Sequence, residues 1–292
     1  MKLFHSNTPY TFLGVENDWD KAKVGVLPVP YDSTSSYGTG QRWGPNAIIQ
    51  ASRQLELYDI ESRADFSQTL GFFTFPELMC SKKDPARVVK AVEESVDEIL
   101  KAGRFPLTLG GEHSITPGAV RAARAHYRDL CVLHIDAHAD MRHSYEETEY
   151  NHACSMARCR EIVPVVSVGV RSYSQEEADV VEGKYKDFIF DASPFLPKRI
   201  EQILNRLSGA HVYVSIDIDA FDPSIMPAVG TPEPGGLDWY EVLSLLRRVG
   251  AKKRIVGADI VELAPIPGQP ASDFACAKLA YKLCGYALNG KK

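Results

Sequence analysis

Short apolar runs alternate with longer stretches of helical periodicity from near residue 24 to the end of this chain, and few folds accept that rhythm. Strands are expected at 24–27, 105–109, 131–135, 165–168, 187–190, 212–216 and 255–261. Helices are expected between them at 46–57, 84–102, 117–127, 175–181, 197–207 and 238–249, with a last one at 273–288. Asp84 before Pro85 is a good cap and first-turn pair, and Gly103 suits a helix stop. A strand, a helix and a further strand in repetition predict a three-layer α/β/α architecture with a mostly parallel central sheet. No linker, low-complexity tract or repeat divides the 292 residues, so 1–292 reads as a single domain.

Charge removes several classes of partner. Thirty-three Lys plus Arg against 38 Asp plus Glu gives a net charge of −5, with no basic run, so neither nucleic acid nor an anionic membrane surface is expected. The N-terminal stretch turns polar and acidic too early for a signal peptide, and no apolar run approaches the ~20 residues of a membrane span. The six cysteines are scattered without a CxxC and several sit in apolar runs, as buried packing residues do. A reduced, cytoplasmic protein is the expectation.

The polar residues that interrupt the pattern stand at the C-terminal ends of strands, where open parallel sheets bind ligands. Three places stand out: Gly110-Gly111-Glu112-His113-Ser114, His134-Ile135-Asp136-Ala137-His138-Ala139-Asp140, and Ser215-Ile216-Asp217-Ile218-Asp219. In extended chain, residues i, i+2 and i+4 share a side, so Asp136, His138 and Asp140 converge, as do Asp217 and Asp219. Each motif alone has a plainer reading: a solvated acidic loop, an Asx turn ahead of Asp222-Pro223, a loop histidine. Together they supply four Asp and two His, with no Lys or Arg inside the acidic motifs to offset the charge. That is too many ligands for one structural zinc, and it suits two divalent ions about 3.5–4 Å apart with shared carboxylates. The oxygen-rich set favours Mn²⁺ over Zn²⁺ and leaves Ni²⁺, Co²⁺ and Fe²⁺ open. His134 reads as a hydrogen-bonded core histidine.

With these motifs in this order, followed by Gly230-Thr231-Pro232-Glu233-Pro234-Gly235-Gly236, the chain resembles the ureohydrolase family, which includes arginase and agmatinase. The resemblance runs from about Val26 to the C-terminal helix. It implies an arginase-like fold and two manganese ions per subunit: one on His113, Asp136, Asp140 and Asp217, the other on Asp136, His138, Asp217 and Asp219. It implies His152 as a proton shuttle beside the substrate, Glu262 as the carboxylate gripping the guanidinium, and Thr231 as a small polar residue lining that site. Asp140 would pass a proton to the leaving nitrogen, and Asp222 would orient the ligands from behind. Read without the resemblance, His152 is a surface histidine, Glu262 a buried carboxylate needing either a structural Arg or a bound cation, and Thr231 a turn residue.

The implied activity is hydrolysis of a small guanidino substrate by a homo-oligomer, trimeric or hexameric. Asp140-Met141-Arg142 with Tyr145-Glu146, and the 230–236 string, resemble bacterial agmatinases, which points to agmatine, cleaved to putrescine and urea in polyamine biosynthesis. Residues 225–229 resemble relatives acting on aminopropylagmatine, and Glu112 stands where Asp is usual. Guanidinobutyrate, guanidine, arginine and formiminoglutamate are the other substrates to weigh. A metal-stabilised binding or scaffold protein is the non-enzymatic alternative.

Overall fold

The computed structural model describes residues 9–81, 84–192 and 196–289. Ten strands occur among them: β1 (Val24–Val29), β2 (Tyr58–Asp59), β3 (Ala64–Asp65), β4 (Phe72–Thr74), β5 (Phe105–Gly110), β6 (Leu130–Ile135), β7 (Val165–Val170), β8 (Ile189–Asp191), β9 (His211–Asp217) and β10 (Arg254–Val261). Eight of them form one sheet in the order β4-β1-β5-β10-β9-β6-β7-β8, and every pairing in it is parallel. The remaining pair, β2 and β3, makes a short antiparallel ribbon.

The parallel arrangement follows from burial on both faces. On β6, Cys131, Leu133 and Ile135 point to one face, and Leu130 and Val132 to the other. On β9, Val212, Val214 and Ile216 join the first face and Tyr213 the second. The first face is covered by α1 (Gly44–Ser52), the C-terminal α9 (Ala271–Asn289), and by α7 (Leu196–Arg206) and α8 (Trp239–Lys252). The second is covered by α3 (Pro85–Lys101), α4 (Thr116–His126) and α5 (Ser155–Arg160). Two short helices, α2 (Phe66–Leu70) and α6 (Gln175–Asp179), complete the set. The expected three layers are all present. No helix among the described residues is long and apolar enough to cross a membrane.

Several element boundaries depart from the sequence expectation for local reasons. The α1 helix starts two residues before the expected 46, with Pro45 in its first turn, and stops at Ser52, whose hydroxyl bonds the carbonyl of Ile49. The expected strand 187–190 begins with a 3₁₀ turn, Lys186–Phe188, and only then becomes β8. The expected helix 175–181 is α6 followed by a π turn, Val180–Lys184. Strand β4 and helix α5 have three and six residues, too few for a period to show. Asp84 does cap α3, accepting from the Arg87 amide, and Gly103 takes the left-handed φ of 69° just beyond it.

Candidate metal centre and active site

Strands β5, β10, β9 and β6 are neighbours at the middle of the sheet, and the candidate residues leave their C-terminal ends. His113 begins a 3₁₀ turn after β5, Asp136 follows β6, Asp217 ends β9 and Asp219 sits in the next turn. Gly111 lets this happen: a Cβ there would lie 1.9 Å from the Tyr31 carbonyl, so only glycine allows the β1 and β5 ends to close up. Asp140 stands in a left-handed turn, φ 52°, and its carbonyl accepts the amides of Met156 and Ala157 at the start of α5.

All six expected ligands meet. His113 Nδ1 lies 3.1 Å from Asp136 Oδ2, 3.2 Å from Asp140 Oδ2 and 3.5 Å from Asp217 Oδ2. His138 Nδ1 lies 2.9 Å from Asp219 Oδ2 and 3.6 Å from Asp136 Oδ1. Ligand atoms of Asp136, His138 and Asp219 gather within 4.8 Å of one another, as do those of His113, Asp136 and Asp140. Asp136 belongs to both groups, the position of a bridging carboxylate. His134 also lies in the second group, but its two ring nitrogens are engaged by Ser167 Oγ at 3.0 Å and Asp136 Oδ2 at 2.7 Å, so it supports Asp136 from behind.

These residues fit a divalent pair. His113 Nδ1 is buried and makes no hydrogen bond although three carboxylate oxygens surround it. The geometry suits a lone pair aimed at a common ion. The other nitrogen, Nε2, lies 2.8 Å from Ser215 Oγ, which donates to Asp259 Oδ1 at 2.6 Å. Thr116 and Tyr213 donate to Oδ2 of the same carboxylate. With the Ser215 proton spent on Asp259, Ser215 accepts from Nε2–H and leaves Nδ1 free for metal. Charge makes the same demand. Burial, reinforced by Asp136, pushes the Asp140 carboxyl up to about 7, and burial with Asp219 and Asp136 raises Asp217 as well. Four buried carboxylates cannot all ionise here without cations.

The substrate end of the site lies in a cavity of about 300 Å³ lined by His113, Asp140, Asp217, His152, Thr231 and Glu262 among others. Glu262 follows β10 in a left-handed conformation, φ 70°, and Oε1 accepts the His113 amide at 2.7 Å. No Lys or Arg among the described residues forms an ion pair with it, so a structural arginine does not explain its burial. Burial, then the neighbouring Glu112, raises its carboxyl to about 8. His152 lines the cavity with Nε2 3.4 Å from Ser36 Oγ and its Nδ1 buried without a partner. Burial lowers its pKa to about 4, so the ring is neutral near pH 7. Thr231 donates to Asp219 Oδ2 at 3.3 Å. Asp222 uses its carboxylate elsewhere: it accepts from Ser224 and from the amides of Gly235 and Gly236, and so holds the 230–236 loop rather than a ligand side chain.

Three supports were not read from the sequence. Arg171 donates to the carbonyls of Asp219 at 2.8 Å and Glu233 at 2.7 Å, and also to those of Gly169, Ala220, Phe221 and Pro234. One guanidinium thereby ties a ligand turn to the loop carrying Thr231. The second support is the Ser215–Asp259 pair behind His113. The third is Glu177, which accepts the Met141 amide and closes the capping box of α6 with Ser174 at the cavity wall. A charged residue inside an apolar run, as in Ile255–Val261 around Asp259, was the available signal for the second.

Comparison with known proteins agrees with this geometry. A family model described as the arginase family matches residues 22–285. An N(1)-aminopropylagmatine ureohydrolase of Synechocystis is 41% identical over 288 residues, covering 95% of this chain and 94% of the relative. An agmatinase of Bacillus subtilis is 33% identical over 271 residues, covering 91% and 92%. The crystal structure of an agmatine ureohydrolase of Thermoplasma volcanium superimposes with a TM-score of 0.86 at 33% identity, over 96% of this chain and 94% of that one. The chain therefore belongs to the arginase family, as a binuclear-metal ureohydrolase of agmatinase type that hydrolyses guanidino C–N bonds.

Proposed function

We propose that this enzyme hydrolyses the guanidino group of N(1)-aminopropylagmatine, releasing urea and the triamine spermidine, with manganese as its resident ion. The observation that carries the guanidino chemistry is Glu262, a buried carboxylate without an ion-pair partner on the wall of the metal-lined cavity. A planar guanidinium supplies the missing charge and pairs with a carboxylate through two parallel N–H donors. Support for the longer tail comes from the relative at 41% identity. The cavity mouth agrees, because Tyr173 and Ser174 border both the cavity and an adjoining groove that holds Asp179 and Glu182. That groove offers negative charge to a second ammonium. Agmatine is the second reading, favoured by the agmatinase of Bacillus subtilis at 33% identity.

The residues divide the work as follows. His113, Asp136, His138, Asp140, Asp217 and Asp219 would hold the ions; when bound, these supply Lewis acidity and lower the pKa of water towards 7. Glu262 would hold the guanidinium within the cavity that the ligand residues line. Asp140, at the cavity wall beside the ligand cluster, delivers a proton to the leaving nitrogen. Neutral His152 at the cavity wall exchanges protons with solvent.

Urea release from the manganese-loaded enzyme, measured over aminopropylagmatine, agmatine, arginine, guanidinobutyrate and guanidine, tests the assignment. The expected kcat/KM is highest on aminopropylagmatine, about tenfold over agmatine if the extra ammonium gains ~1.4 kcal/mol. A preference for agmatine selects the second reading. Absence of urea from every compound overturns both.

A further inference from the structure

Glu112 precedes the ligand His113 and is fully buried, yet it takes no part in the ligand cluster. Its Oε1 accepts from Thr34 Oγ1 at 2.5 Å and Ser114 Oγ at 2.7 Å, and its Oε2 from the Thr34 amide at 2.8 Å and Ser35 Oγ at 3.3 Å. Four donors converge on a carboxylate that forms no ion pair with Lys or Arg among the described residues. Hydrogen bonds from hydroxyls and an amide take the place of a counter-charge. Three of those donors belong to the loop after β1. That loop turns its other side to His152: Thr34 Oγ1 accepts the His152 amide at 3.2 Å, the Thr34 carbonyl accepts Asn151 Nδ2 at 3.4 Å, and Ser36 Oγ lies 3.4 Å from His152 Nε2. Thr34 Oγ1 gives its one proton to Glu112 and presents its lone pair to His152 N–H. The chain of contacts runs from the metal-binding turn through Glu112 and Thr34 to the residue at the cavity wall.

We propose that Glu112 is a positioning residue that fixes His152 over the metal cluster through the Thr34–Ser36 loop. The inference rests on the reading of His152 as the proton-exchanging group. Glutamate suits the task because its two oxygens take four donors while its own backbone stays with the β5 turn. In Glu112→Gln the amide group turns an N–H₂ towards donors, so at least one of the loop contacts is lost. In Thr34→Val the Glu112 carboxylate keeps the Thr34 amide, but the hydroxyl shared with His152 disappears.

The test is a double-mutant cycle with His152→Ala, using steady-state urea release together with metal content per chain. Glu112→Gln and Thr34→Val should each lower kcat about tenfold to a hundredfold, as a displaced catalytic group does, with KM within about twofold. Metal content should stay at two ions per chain. In the His152→Ala background both substitutions should cost less than about twofold, because the group they position is already gone. Losses that multiply in the double variants overturn the proposal, as does a fall in rate explained by lost metal. If Glu112→Gln does not fold, Thr34→Val carries the same test. Full activity in His152→Ala alone refutes the reading of His152. A large loss in His152→Ala with none in Glu112→Gln or Thr34→Val refutes only the positioning role.

Discussion

Replacing Ser215 with alanine probes how the fold prepares a metal ligand before any metal arrives. His113 is 1% exposed, and its Nε2 proton has one acceptor, Ser215 Oγ at 2.8 Å. Alanine removes that acceptor and leaves a buried N–H unsatisfied, which costs about 1–3 kcal/mol. The ring can recover part of this only by turning or by moving its proton to Nδ1, and either change withdraws the lone pair from the carboxylates. Partners of metal-ligating histidines typically contribute 10–100-fold in affinity, or about 1.4–2.8 kcal/mol. Both routes give the same range. Chelator-stripped Ser215→Ala should therefore bind its first-filled and second-filled Mn²⁺ unequally by calorimetry, with the site served by His113 weakened by that factor. The site served by His138 should keep its affinity, because His138 faces Asp219 and Asp136 and not Ser215. Unchanged affinity at both sites, or equal weakening of both, would refute the tautomer-fixing argument.

Two further outcomes follow from the site. Arg171→Lys keeps the charge but not the fork that holds six carbonyls, so amide exchange in 230–236 should accelerate and KM should rise. Stability should fall by about 1–3 kcal/mol; protection unchanged in that loop would count against the clamp. His152 gives a pH dependence with a definite sign. Its pKa of about 4 in the folded chain is below the ~6.5 of an unfolded histidine, so its contribution to stability is full above pH ~6.5 and drains away as pH falls towards 4. Between pH 7 and 5 wild type should lose up to about 2 kcal/mol that His152→Gln does not lose, measured by denaturant unfolding at both pH values. Parallel losses in the two proteins would show that the histidine is not neutral when folded.

The chemistry of this site was legible in the sequence further than its geometry was. Extended-chain parity does place Val132 and His134 on one face of β6, with Asp136 just beyond its end, and Tyr213, Ser215 and Asp217 on the same face of β9. It was applied too far along both motifs, however. Strand β6 stops at Ile135, and Asp140 reaches the cluster through a left-handed turn; Asp219 sits in a 3₁₀ turn and not in extended chain. The six side chains nevertheless come together, and four uncompensated carboxylates at one place call for a cation whatever the backbone does. Supports such as Arg171 with Glu233, Glu112 with Thr34 and Ser215 with Asp259 join residues 44 to 78 positions apart, and no local period carries such pairs.

The strand order was also open in the sequence, since chain order says nothing of β10 lying between β5 and β9. The ligands themselves restrict it. Neighbouring strands lie about 4.8 Å apart, so strands three places removed have ends about 14 Å apart. Short Asp and His side chains cannot bring ligand atoms within 4.8 Å across many such steps. A centre that draws on His113, Asp136 and Asp217 therefore requires β5, β6 and β9 to lie close together in the sheet. Strands β1, β4, β7 and β8 take the flanks. The intervening place is taken by β10, after whose end stands Glu262. A ligand set drawn from three strand ends thus limits sheet topology, and the strand order in turn places Glu262 against the His113 amide.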